Sequence, residues 1–343
     1  MIVSFYDKNF KGLQNNASLV VANNTYKLVK RPIEMNTLSC KCEAFTEDIQ
    51  PTFMVIQDNK GRYVYGCLAG IPLLNADNQT EINGTDLKSM LSSDIFFQPT
   101  IYGGNVNKYI DGMFKAWKTQ VNQGVFEVEL IWSSTVLEDL LKWEDFQRPE
   151  EDGIFNVYDE ISKYLRYYNL YLDSKIDLVN KKIVFEIGRT MYRNLDIKLW
   201  EYGIKNYGKW VASVSECQGY YNNEGTFTAS KNWILTSQNQ ITTDTSKRDI
   251  FPIKKKIVVS NQSKKDADEQ ALTTLLDSLY NEDITLNAND VLQTRANFET
   301  NFAIYVKRGQ PKYKDLPCGE LHYDSNGLTK VQIGWRYSMI ELI

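Results

Sequence analysis

Two apolar runs, Phe53–Ile56 and Tyr63–Ile71, flank the polar tetrad Asp58-Asn59-Lys60-Gly61. That pattern predicts a β-hairpin, with Asn59 and Gly61 suited to the positive φ of its turn. The chain continues "TEINGTDLKSMLSSDIFF", residues 80–97. This predicts a further strand, an Asp-Leu-x-x-x-Leu turn of helix and another short strand. Upstream, "SLVVANNTYKLVKRP" reads as strand, Asn-Asn turn, strand. "MNTLSCKCEAF" places Leu38, Cys40, Cys42 and Ala44 on one side of a strand. Pro32, Pro51, Pro72 and Pro99 punctuate the segments, as loop and edge positions require. The first hundred residues therefore predict an all-β region.

The period changes near residue 105. Tyr109, Ile110, Met113, Phe114 and Trp117 share one helical face, and Tyr158, Ile161, Leu165 and Tyr168 share another. Between them, "EVELIWSSTVLEDLLKW" predicts a strand, a Ser-Ser-Thr cap and a short helix. "LYLDSKIDLVNKKIVFEIG" returns to hairpin alternation, with Asn180-Lys181-Lys182 as the turn. From about Leu195 the pattern is β-rich again, broken at Asn222-Asn223 and Gly225, and "FPIKKKIVVS" predicts a strand. A helix is predicted over 264–281. Ser263 and Asp266 have capping-box spacing, and Ala267, Ala271, Leu272, Leu275, Leu276 and Leu279 form its apolar stripe. The last fifty residues predict strands and turns. The fold class is α+β and β-rich, divided as 1–100, an α+β unit 101–194, and 195–343.

Composition narrows the classes. With 343 residues, the length prior suggests roughly two or three domains. The 21 Tyr, 15 Phe and 7 Trp favour strands and half-buried surfaces. A formal net charge of −4 gives no default toward nucleic acid or anionic membranes. No apolar run reaches membrane-spanning length, and the N-terminus lacks the pattern of a secretory signal. The Asn-x-Ser/Thr sequons at Asn16, Asn23, Asn78, Asn83 and Asn261 then carry no glycosylation reading. The five cysteines, Cys40, Cys42, Cys67, Cys217 and Cys318, are expected to be reduced core residues.

The chemistry-bearing patterns are all incomplete. The single histidine, His322, excludes three-histidine zinc sites and is expected on a partly exposed strand. "GIKNYGKW" spaces Gly203, Gly208 and Lys209 like a P-loop, but Trp210 stands where a hydroxyl must hold Mg²⁺, so it reads as a turn. "KGRYVYG" lacks the full aromatic pattern of an RNA-binding strand. Lys254–Lys256 reads as a solvated strand edge. "DSNG", 324–327, reads as a hairpin turn rather than half of a calcium loop. "PEEDG" could supply paired carboxylates, Glu150 and Glu151, for glycoside hydrolysis, but reads as a solvent-facing loop. No catalytic, metal or cofactor residues are expected. The residues leave open a structural protein, a carbohydrate-binding receptor protein that uses aromatic platforms, and a wall hydrolase.

The order of elements carries a resemblance. The N-terminal strand pair, then "TEDIQPTFMVIQDNKGRYVYGCLAGI", then "TEINGTDLKSMLSSDIFF" resembles the first domain of phage tail hub proteins. These include the tail-associated (Tal) proteins of siphophages and the central baseplate hub of contractile phages. "DADEQALTTLLDSLYNEDITLNA" and "YVKRGQPKYKDLPCGELHY…VQIGWR" are similar to the helix and closing strands of the later barrel. The resemblance implies two tail-tube-like β-barrels with an α+β insertion, assembled as a homotrimer. It implies a virion protein at the distal end of the tail, made in the host bacterial cytoplasm. Its implied neighbours are a distal tail protein and the tail tube, with tape-measure and receptor-binding proteins nearby. Genome DNA would pass through it without sequence-specific binding. Many such proteins carry a C-terminal peptidase or fibre extension; this chain stops at Ile343, so wall-degrading activity is not expected.

Overall fold

The computed structural model describes residues 1–13, 19–22, 25–43, 51–58, 60–70, 73–74, 79–99, 105–133, 151–168, 170–189, 191–193, 204–209, 214–237, 240–261, 263–276, 282–287, 302–304, 316–324 and 327–333. In chain order the strands are β1 (Ile2–Tyr6), β2 (Leu19–Val20), β3 (Lys27–Lys30), β4 (Thr37–Glu43), β5 (Phe53–Gln57), β6 (Tyr63–Ala69), β7 (Leu73–Leu74), β8 (Gln79–Thr85), β9 (Asp94–Phe97), β10 (Glu127–Trp132), β11 (Gly153–Asn156), β12 (Leu170–Asp177), β13 (Lys182–Arg189), β14 (Met191–Arg193), β15 (Ile204–Lys209), β16 (Glu216–Asn223), β17 (Thr226–Leu235), β18 (Ile241–Thr242), β19 (Lys255–Ser260), β20 (Glu282–Asn287), β21 (Phe302–Ile304), β22 (Leu316–Asp324) and β23 (Gly327–Ile333). The α-helices are α1 (Val106–Trp117), α2 (Val157–Tyr167) and α3 (Lys264–Leu276). The chain divides into two compact units. One holds Met1–Met191, Ala288–Phe302 and Glu320–Val331; the other holds Tyr192–Asn287, Ala303–Gly319 and Gln332–Ile343.

The first unit is built on an antiparallel sheet of order β22-β3-β4-β8-β6-β5-β1-β2. Its inner face follows the alternation in the sequence. Leu38, Cys40 and Cys42 of β4 join Val3, Phe5, Leu28, Met54, Ile56, Cys67 and Ile82 in one core cluster. Each fully buried side chain of this size contributes about 1.5–3 kcal/mol. The predicted hairpin is β5–β6, and Gly61 takes φ 76° in its turn. Strand β5 is buried on both faces, because Phe53 stacks on Phe10 at 4.8 Å and meets Phe126 edge-on at 5.2 Å. Sequence alternation alone would leave that second face in solvent.

The α+β part of this unit carries a three-stranded sheet, β10-β13-β12, in which β10 and β13 run parallel. All five residues assigned to the buried face of α1 are buried. Phe114 and Trp117 pack on Phe185 of β13. Helix α2 buries Val157, Ile161, Tyr164 and Leu165. Tyr158 and Tyr168 are only half-buried, so the stripe is rotated from the predicted one. The β12–β13 turn falls on Leu178–Lys181, where Lys181 takes φ 54°. A separate ribbon pairs β9 with β11.

The second unit contains the antiparallel pair β15–β20 and a sheet of order β18-β17-β16-β19. Ser263 caps α3 as predicted, although Asp266 answers the Ser263 hydroxyl rather than its backbone N–H. Ser263 Oγ accepts from Asp266 N at 3.1 Å and donates to Asp266 Oδ2 at 2.6 Å. Ala267, Ala271, Leu272 and Leu275 are buried. Leu279 and the rest of the helix predicted to 281 lie outside the described residues, as does the cap-and-helix reading of 133–143 beyond Ser133. Among the described residues no sheet closes into a barrel. The closed barrels implied by the resemblance are therefore not seen here.

Candidate interaction surfaces

The Asp-Leu-x-x-x-Leu segment forms a 3-10 helix, Leu87–Leu91, and Asp86 is its N-cap. Asp86 is also the centre of a buried polar node. Its Oδ1 accepts from Lys88 N at 3.0 Å and from Ser174 Oγ of β12 at 3.1 Å. Its Oδ2 accepts from Asn36 N at 2.6 Å and lies 3.5 Å from Lys88 Nζ. Both side chains of this ion pair are fully buried. Lys88 Nζ gives its three donors to the carbonyls of Arg31 (3.3 Å), Ile33 (3.2 Å) and Glu34, so its link to Asp86 is one of charge. Leu172 N donates to Pro32 O at 2.7 Å, and Tyr158 OH to Ile33 O at 3.2 Å. The β3–β4 connection is thus gripped by the 3-10 helix, by β12 and by α2. A charge this deep is tolerated only when paired and fully hydrogen-bonded. The Asp-Leu-x-x-x-Leu signature holds the α+β part onto the first sheet; its role is architectural.

Among the described residues, His322, the cysteines and the acidic loop lie on different elements. His322 lies on β22, and its Nε2 is 2.9 Å from Glu320 Oε2. Arg31 Nε donates to Glu320 Oε1 at 3.0 Å. The hydrogen bond from His322, then those from Arg31, outweigh burial and hold the Glu320 carboxyl down at about 2. This half-buried strand histidine matches expectation. Cys40, Cys42, Cys67 and Cys217 are buried free thiols, and burial pushes the Cys40 thiol up to about 12. The side chain of Cys318 lies outside the described residues. Glu151 and Asp152 are exposed, with Asp152 accepting from Gln98 Nε2 at 2.9 Å; Glu150 lies outside the described residues. Residues 204–209 form strand β15 rather than the expected turn, because Tyr207, Gly208 and Lys209 pair with β20. Gly203 and Trp210 lie outside the described residues. Strands β22 and β23 flank the DSNG position, as a hairpin requires. Among the described residues no group of His, Cys, Asp and Glu is placed to hold a metal ion.

The second unit carries one group of exposed apolar residues on a sheet face. Helix α3 covers one face of the β18-β17-β16-β19 sheet so closely that a Cβ on Gly219 would lie 2.8 Å from Ala267 O. A bulge between Gln218 and Tyr220 accompanies that approach. Asp268 Oδ1 accepts from Lys231 N at 3.1 Å and Ser230 Oγ at 2.6 Å, partnering the two β17 residues that face Gly219 in the bulge. On the other face, Ile257 and Val259 sit in register with Gln218 and Tyr220. Ile257 is 57% exposed, Val259 49% and Phe227 57%. One end of this face is covered instead: Glu216 is buried, bound by Arg248 Nε and by Asn232 Nδ2 at 3.2 Å. Burial pushes the Glu216 carboxyl up, but these hydrogen bonds and the Arg248 charge leave it below its usual value. Strand β19 ends the sheet, and its exposed Lys255 and Lys256 match the edge reading of the lysine run. The exposed apolar residues beside an open edge were not singled out in the sequence. The unbroken apolar run Ile257-Val258-Val259 could have signalled them, but it does not say which face a helix covers.

No protein-family model matches the chain, and no curated protein sequence matches it. Its structure is similar to those of phage tail proteins. The 43 kDa tail protein of prophage MuSo2 from Shewanella oneidensis superposes with a TM-score of 0.57 at 13% identity, over 98% of each chain. Prophage tail protein gp18 from Listeria monocytogenes gives a TM-score of 0.52 at 12% identity, over 100% of this chain and 96% of that one. A chain of the Francisella PdpA–VgrG complex gives 0.52 at 11% identity, over 97% of this chain but 57% of its own length. The chain shares the fold of the two prophage tail proteins over nearly the full length of each.

Proposed function

We propose that this chain is a structural component of a phage or prophage tail: the trimeric hub that closes the distal end of the tail tube and gates DNA passage during infection. The observation that carries the reading is the near-complete mutual coverage with two prophage tail proteins. In this reading 1–100 and 195–343 supply two tube-like halves and 101–194 a peripheral α+β part. Their open sheet edges are completed by neighbouring copies, since an uncovered edge is otherwise an aggregation hazard. Three chains with two such halves each present six similar faces to the tube and distal tail protein above. Tape-measure and receptor-binding proteins are further neighbours in the virion.

The reading makes the protein a non-enzyme, with function in its interfaces. The exposed setting of Glu151 and Asp152 supports this over a wall hydrolase. A sugar-binding role draws less support, because Trp117 and Trp233 are buried. Among the described residues no helix is long and apolar enough to cross a membrane. Gold-labelled antibody against the chain tests the placement on intact particles. Label at the distal tip of the tail is expected; label along the tube or on the head would overturn it.

A further inference from the structure

The ribbon β9–β11 is exposed on one side and closed on one edge by a side chain. Ile95 and Phe97 of β9 point inward and are buried, while Phe96 is 54% exposed. Its cross-strand neighbour Ile154 is 77% exposed. Among the described residues β11 is the sole strand paired with β9. In a strand of four residues, alternation leaves Phe96 as the central residue whose N–H and C=O point away from β11. Both are taken by one group: Gln120 Oε1 accepts from Phe96 N at 3.0 Å, and Gln120 Nε2 donates to Phe96 O at 2.7 Å. A primary amide that accepts from N–H and donates to C=O of one residue reproduces the two bonds a neighbouring strand would make.

Gln120 reaches this position from an irregular turn. At Trp117 the α-helix gives way to a π-helical turn, Lys118–Asn122, closed by Gln123 N to Lys118 O at 2.9 Å with Gln123 at φ 46°. Gln123 Nε2 donates back to Gln120 O at 3.0 Å, fixing the turn. A π turn costs helix regularity and recurs where a side chain must be placed off the α-helical track.

We propose that Gln120 is an edge guard: its amide occupies the pairing site of β9 and keeps the chain from joining a second copy through that edge. The alternative partner is the same edge of another molecule. Antiparallel self-pairing centred on Phe96 would let the two Phe96 residues exchange both backbone bonds. It would set Asp94 against Gln98 rather than against a second Asp94, and bring two exposed phenyl rings together. The edge is therefore self-complementary about a two-fold axis once the amide is removed. The apolar Ile-Phe-Phe run has the β-propensity that makes such an edge adhesive. This inference is independent of the hub reading.

The test replaces Gln120 with Leu, which keeps the bulk and removes the amide, and with Ala, which adds no apolar surface. Mass is followed by sedimentation velocity across protein concentration, relative to wild type under the same conditions. Hydrogen exchange at the Phe96 amide is followed in parallel. At protein concentrations low enough to keep both variants monomeric, the Phe96 amide is expected to exchange about five- to tenfold faster, the factor set by one ordinary hydrogen bond, and to regain protection as pairing sets in. The mass is expected to double with concentration. Adding Phe96→Lys, a charge at an exposed position, is expected to return the mass to that of wild type. Unchanged exchange at Phe96, faster exchange without association, or association that survives Phe96→Lys would each overturn the proposal.

Discussion

Asp86 and Lys88 show how a short motif acts through burial. Each removes a charge from water and recovers the cost through the other and through backbone groups of the β3–β4 connection. Lys88→Ala leaves the Asp86 carboxylate uncompensated, and chemical denaturation should show a loss of about 3–5 kcal/mol. The double replacement Asp86→Leu with Lys88→Met should lose less than the two single replacements summed, because no lone charge is stranded. Glu320 supplies a pH signature. Its folded carboxyl is held at about 2 against an ordinary 4.5, so its stabilisation is complete above about pH 4.5 and is lost as pH falls toward 2. Denaturation midpoints between pH 5 and 2.5 should fall more steeply in wild type than in Glu320→Gln. Equal slopes would contradict the assignment. Asp86 was legible in sequence as part of a helix-opening motif. Its ties to Asn36 and Ser174 were not, because they span 50 and 88 residues.

Elements with local signals were read well from sequence. The hairpin β5–β6 and helices α1 and α3 carry their own turn residues, period or cap. What the sequence could not supply was pairing at a distance. The parallel pair β10–β13 joins Glu127 to Lys182, and β9 meets β11 across a comparable span. Helix α2 was found but rotated, because Tyr164 is buried with its hydroxyl donating to Glu160 Oε1 at 2.9 Å, while Tyr158 turns its hydroxyl to Ile33 O. The P-loop-like run became a strand because its pairing with β20 lies outside any local window. At this scale Gly219 is the sensitive point. Gly219→Val places a branched side chain against the backbone of α3. Thermal and chemical unfolding should show a loss of about 2–3 kcal/mol, of overpacking type. Ser263→Ala should cost about 1 kcal/mol through the lost cap. Unchanged unfolding in Gly219→Val would show that α3 does not sit where it is placed.

For the whole molecule, the account turns on what covers its open sheet surfaces. Ile257 and Val259 are exposed on a sheet face whose opposite side is packed under α3. Ile257→Lys together with Val259→Lys should leave the unfolding midpoint of the isolated chain near that of wild type, because no core contact is removed. The same pair should reduce incorporation into tails, read as the ratio of this chain to tube protein in purified particles. A tail-protein fold was legible in the order of the elements, while the barrel closure implied by the resemblance is not seen among the described residues. Cryo-electron microscopy of the tail tip tests the central claim most directly. The account predicts three copies of this chain in a ring on the tail axis, with a central opening lined by strands. Six copies, or copies attached at the periphery of the tip, would contradict it.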